Sequence, residues 1–188
     1  MSLSDRTPVH IDLVRRIEGA QGLDPAVHAI APVVRQAFGV GRRGEVLRGD
    51  WLGHALHPLL TDLVIGSWTS ATLLDLVGGR ESGKAAQRLV GIGLLAFAPT
   101  AWSGWAEWSE AGPREQRVGL VHVGTNAAAA GVYLASWKAR RRGERVRGAA
   151  LALAGAAVSG SAAYLGGHLA LARKVGTHDP VFDDAVTS

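Results

Sequence analysis

Cysteine is absent from the 188 residues. That excludes disulfides, thiolate metal sites and an iron–sulfur cluster held by this chain, while leaving the redox compartment open. The motifs of soluble catalysis are missing too: there is no nucleophile triad, Walker loop, dinucleotide fingerprint or helical zinc-protease signature. Gly91-Ile92-Gly93 runs straight into Leu94 and Leu95, so it reads as helix packing rather than phosphate binding. Residues 1–50 lack a basic segment followed by an apolar one, so neither a signal peptide nor a membrane span is expected there. Charge is sparse at 19% of residues. The mean hydropathy of +0.13 looks nearly soluble, but it averages a polar N-terminal third with an apolar remainder.

What is present is a set of four long apolar stretches: Leu59 to Val77, Leu89 to Trp105, Gly119 to Trp137 and Ala149 to Ala172. Each is close to the roughly 20 residues needed to cross about 30 Å of hydrocarbon. The 25 glycines and many alanines suit helices that approach closely in lipid. The expected fold is therefore all-α, a four-helix transmembrane bundle over residues 51–175. It is preceded by amphipathic helices and a basic linker in 1–50 and followed by a polar tail, 176–188.

Val9 to Ile17 and Pro25 to Phe38 carry apolar residues at helical spacing, with Asp24 placed as a cap ahead of Pro25. Such helices lie on the membrane surface or dock on the bundle. Gly39 to Gly49 reads as the linker.

The net charge of +4 and pI near 10.1 do not describe a nucleic-acid surface, because the cations sit beside spans. Arg80, Lys84 and Arg88 lie between spans one and two. Lys138, Arg140, Arg141, Arg142, Arg145 and Arg147 crowd the connection between spans three and four. The positive-inside rule makes both connections cytoplasmic, with the termini outside, although Arg42, Arg43 and Arg48 pull the other way.

Chemistry concentrates at the opposite end. Span one opens on His54-Ala55-Leu56-His57-Pro58, with Thr61 and Asp62 about a turn later. Span two closes on Trp102, Trp105, Glu107 and Trp108, the indoles suiting an interfacial belt. Span three starts near His122, with Asn126 one turn on along the same face, and span four ends at Tyr164-Leu165-Gly166-Gly167-His168. Alternating topology brings these ends to one side, so the histidines converge in depth. Asp62 is too costly to leave in hydrocarbon and is expected to face the interior; Asp75 should reach the interface or pair with Arg80.

Three uses fit such a cluster. His122 and His168 could be axial ligands of haem b, with His57, Asp62 and Asn126 nearby. His54, His57, His122 and His168 could hold a transition metal, or imidazole and carboxylate could relay protons. The non-catalytic alternative is a scaffold whose polar cluster merely joins helices. A faint parallel repeat sets His57 to Gly66 against His122 to Gly131.

The run from Trp51 to Trp68, with its His54-Ala55-Leu56-His57-Pro58 and Thr61-Asp62, together with Tyr164 to Leu169, resembles a bacterial membrane family catalogued as domain of unknown function 2231. The likeness extends from about Val14 to Asp179. It implies four spans in the bacterial plasma membrane, with His54, His57, Asp62, His122, Asn126, Gly166, Gly167 and His168 as motif positions. Some relatives carry a Rieske domain after the fourth span, which implies a redox or Rieske-type protein partner; a homo-oligomer is a further expectation. The chain departs from the family pattern at Ala55 and Val64, where proline is usual, and matches its tail motif loosely at Val175-Gly176-Thr177-His178.

Overall fold

The computed structural model describes residues 8–176, which form helices and short turns with no strand among them. Three short helices, α1 (Val9–Glu18), α2 (Asp24–Val34) and α3 (Gly41–Arg48), precede four long ones: α4 (Leu56–Val77), α5 (Gly83–Trp108), α6 (Pro113–Arg141) and α7 (Arg145–Gly167). A π-helical turn, Arg35–Gly39, extends α2, and another, His168–Ala172, extends α7. All four long helices are long and apolar enough to cross a membrane. At 1.5 Å per residue the 29 residues of α6 reach about 44 Å, so its charged ends stand clear of a hydrocarbon layer about 30 Å thick. The helices outrun the apolar stretches because their polar end turns are helical as well. Pro113 starts α6 at a position where its missing amide has no partner to lose, and Gly143, at φ +80°, turns the chain into α7.

The bundle is two helical hairpins in parallel, α4 with α5 and α6 with α7, the most closely packed pairs. Corresponding residues of the two hairpins do matching work. Trp68 of α4 lies over Gly93 of α5, and Tyr133 of α6 lies over Gly155 of α7; a Cβ on either glycine would run into the ring. The two rings stack on each other at the bundle centre. Val90 and Ala152 are fully buried equivalents, as are Ala71 and Ser136. The repeat that the sequence hints at over ten residues therefore organises the whole span region.

At the arginine-rich end Arg140 donates through both terminal nitrogens to the two carboxylate oxygens of Asp75. Both side chains are buried, 2% and 6% exposed. Asp75 was expected at Arg80 or the interface; the diagonal partner across the bundle wins because a buried carboxylate needs a buried cation.

The N-terminal helices cover one side. Val14 of α1 is buried with Val118 and Leu165, and Val27 and Val34 of α2 are buried with Trp108. Asp24 does not cap α2. It is the first helical residue, and its carboxylate accepts two hydrogen bonds from Arg117, at 2.6 and 2.9 Å. The stretch expected as a linker contains α3. Arg48 fastens it, donating to the Gly39 carbonyl at 2.9 Å and pairing with Glu110 at 2.9 Å. Nor do all three indoles form a belt. Trp108 is core and donates to the Gln116 carbonyl at 2.9 Å, whereas Trp102 is half exposed.

Candidate functional site: a paired-histidine chamber

Two histidines occupy equivalent places in the two hairpins. His57, in the first turn of α4, points its ring at α5, with Nδ1 2.9 Å from the Thr100 carbonyl oxygen and 3.2 Å from Ser103 Oγ. His122 of α6 points at α7, with Nδ1 2.9 Å from the Ala162 carbonyl oxygen. A carbonyl only accepts, so each Nδ1 carries the proton, and each neutral ring is left with its lone pair on Nε2. One turn past each carbonyl stands a glycine. A Cβ on Gly104 would lie 2.8 Å from His57 Cε1, and one on Gly166 would lie 2.8 Å from His122 Cε1. The imidazoles thus fill the space that side chains would otherwise take.

Both rings line one cavity of about 280 Å³ between the helices, floored by Trp68 and Phe97. Asn126, one turn beyond His122, places Nδ2 3.0 Å from His122 Nε2 and 3.1 Å from the His122 carbonyl. Its counterpart in the other hairpin is Thr61, whose hydroxyl donates to the His57 carbonyl at 2.8 Å. Asp62 lines the cavity from an exposed position at its edge rather than from the bundle interior. Glu107 lies within reach of the His57 backbone amide. Its Oε1 and the Ser159 hydroxyl are buried without a hydrogen-bond partner among the described residues. Among the described residues no lysine or arginine lines the cavity.

The other two candidate ligands lie elsewhere. His168 turns outward in the π-helical turn, and its Nε2 is 2.7 Å from Glu18 Oε1. Arg173 donates to both oxygens of the same carboxylate. These bonds from Arg173, joined by His168, hold the Glu18 carboxyl below its ordinary range against the opposing effect of burial. His54 lines a separate polar vestibule of about 1050 Å³ at the membrane edge, with Arg48, Asp50, Glu110 and Arg173. Glu107 borders both spaces. His178 lies outside the described residues. Among the described residues no group of three or more His, Asp or Glu side chains is arranged to hold a metal ion.

A comparison with family models sets this geometry among known sequences. The model described as a predicted membrane protein, DUF2231, matches residues 53–179. The chain belongs to the DUF2231 family. The matched region takes in all four spans of this DUF2231 protein and both chamber histidines. No curated protein and no solved structure matches the chain.

Sequence reading missed the carbonyl partners Thr100 and Ala162 and the clasp on His168. The glycines four residues past the two carbonyls were a usable signal. Nothing local announces Glu18, which lies 150 positions from His168.

Proposed function

We propose that this DUF2231 protein is a membrane redox subunit in which His57 and His122 would hold the iron of a haem b. The observation that carries the reading is the matched pair of imidazoles on one cavity, each with Nδ1–H fixed on a backbone carbonyl and Nε2 as the accepting nitrogen, that of His122 meeting the Asn126 amide at 3.0 Å. That is the arrangement in which histidine ligates iron, since the bond at one ring nitrogen fixes the tautomer and the ring's direction. His57 takes the place that the sequence offered to His168, because His168 is occupied by Glu18. A haem needs two protein donors, the number that the chamber's imidazoles supply. When bound, it would supply one-electron chemistry. The chain's own residues fix the two rings and shield them with Trp68 and Phe97, and the Asn126 amide would have to leave His122 Nε2 for that lone pair to bind iron.

The reading extends to the surroundings. The chamber and the chain termini face the outside of a bacterial plasma membrane, the helices within residues 8–50 brace the 51–175 span domain, and a Rieske-type protein approaches at the vestibule. A second reading has an observation of its own. Each Nδ1 bond joins two helices, so the pair could serve as interhelical fasteners in a cofactor-free accessory subunit. Protein purified in detergent after expression with ample haem separates the two. The redox reading requires haem near one per chain, lost in His57→Ala and His122→Ala but kept in His54→Ala and His168→Ala. Cofactor-free protein, or occupancy indifferent to His57 and His122, leaves the fastener reading.

A further inference from the structure

The chamber has a side entrance. Of the residues lining it, the exposed ones are Pro58, Asp62 and Ile65 on α4 and Ala163 on α7. They mark the gap between the first and last spans. The symmetry-equivalent gap, between α5 and α6, is sealed: α1 and α2 pack on α6, α3 and the turn after α2 pack on α5, and Trp108 fills the space between. One edge of a pseudo-symmetric pair is therefore covered and the other bare.

The vestibule end is stoppered as well. After α7 the chain folds back, Val175 donating its backbone N–H to the Leu169 carbonyl at 3.0 Å. Gly176, at φ +66°, then lies against the Glu107 carboxylate so closely that a Cβ would collide with it. The Glu18, His168 and Arg173 clasp holds the base of this segment.

The lining also selects chemistry. The two Nε2 atoms, Asp62 and the unpartnered Glu107 oxygen are acceptors or electron-pair donors, and among the described residues no cationic side chain lines the chamber with them. A ligand seated there must bring a Lewis-acidic or proton-donating centre, and the Trp68 and Phe97 floor favours a flat ring. Anionic groups find no partner among the described residues inside, so the two carboxylates of a porphyrin would lie toward the vestibule, where Arg48 and Arg173 stand.

From these observations we infer that the chamber is filled sideways from the bilayer, through the gap between α4 and α7, by a flat, lipid-dissolved ligand of the iron-porphyrin class. The identity of the ligand rests on the function proposed above; the route does not.

The absence of cysteine makes the route directly testable. In vesicles, Ser159→Cys places a lone thiol on the chamber wall. An N-alkyl maleimide dissolved in the bilayer should modify it, and a charged, water-confined thiosulfonate should not. Adding Ala163→Trp, which fills the gap, should slow the alkyl reagent at least tenfold. Ile65→Trp on the facing rim should do the same, so that misfolding of one variant, read from its helical melting curve, leaves the other. Labelling by the charged reagent, no labelling by either, or labelling indifferent to both tryptophans would each overturn the lateral route. Ferric haem offered in the same vesicles then tests the ligand. Uptake slowed by Ala163→Trp but not by Asp50→Trp in the vestibule supports both proposals. A wild-type protein that takes up no haem overturns the ligand class while the labelling result stands.

Discussion

The Trp68 indole and the Tyr133 ring stack at the centre of the bundle, centroids 4.0 Å apart and planes inclined by 18°. One ring comes from each hairpin and each lies over a glycine of its own partner helix. The contact fixes the relative position of the hairpins, and with it the distance between the two imidazoles above.

Removing that contact should loosen the bundle. Trp68→Ala leaves a ring-sized void, and truncations of this kind cost about 3–5 kcal/mol in packed interiors. Gly93→Val is the complementary insult, forcing a side chain into the indole. Both should lower the midpoint of helical melting in detergent, and Trp68→Phe should recover much of the loss.

At the opposite end the Asp75 and Arg140 pair is buried on both sides. Asp75→Asn strands a buried guanidinium and should cost about 3–5 kcal/mol, whereas replacing both residues with leucine should cost much less. Equal destabilisation by the single and double variants in thermal melts would contradict the pairing.

The Glu18 clasp predicts an acid-sensitive N-terminal segment. Its carboxyl titrates below the ordinary value of 4.5, held there chiefly by the hydrogen bonds of Arg173. The contribution to docking is therefore present above pH 4.5 and fades as the pH falls through the lower, folded-state value. Limited proteolysis within α1 should accelerate over that acid range. Glu18→Gln should be cut faster already at neutral pH and lose the acid-dependent step.

The proposed orientation rests on the cations between α6 and α7. A single cysteine at Gly143 should react with a membrane-impermeant reagent only after cells are opened, and one at Gly112 should react in intact cells. The reverse pattern would place the chamber on the cytoplasmic side.

The spans were legible because hydrocarbon demands long apolar runs, and their ends were underestimated because the last turns, such as Lys138 to Arg141, are charged yet helical. The meeting of His57 and His122 at one end of the bundle was legible too, since alternating topology brings those helix ends together. Where each ring points was not. His168 reads from the sequence as a ligand beside His122, but Glu18 captures it from 150 positions away. Asp75 likewise found its partner 65 positions away rather than in the adjacent loop. Period and spacing report which face a residue occupies; they carry no record of which distant charge will meet it.

The central claim is that His57 and His122 together hold a haem iron. The most direct measurement is the oxidised and dithionite-reduced visible spectrum of purified wild-type, His57→Ala and His122→Ala proteins. Sharp reduced α and β bands at about one haem per chain in wild type, absent or converted to a high-spin spectrum in both variants, are the predicted result. A featureless wild-type spectrum, or low-spin bands that survive either substitution, would contradict it.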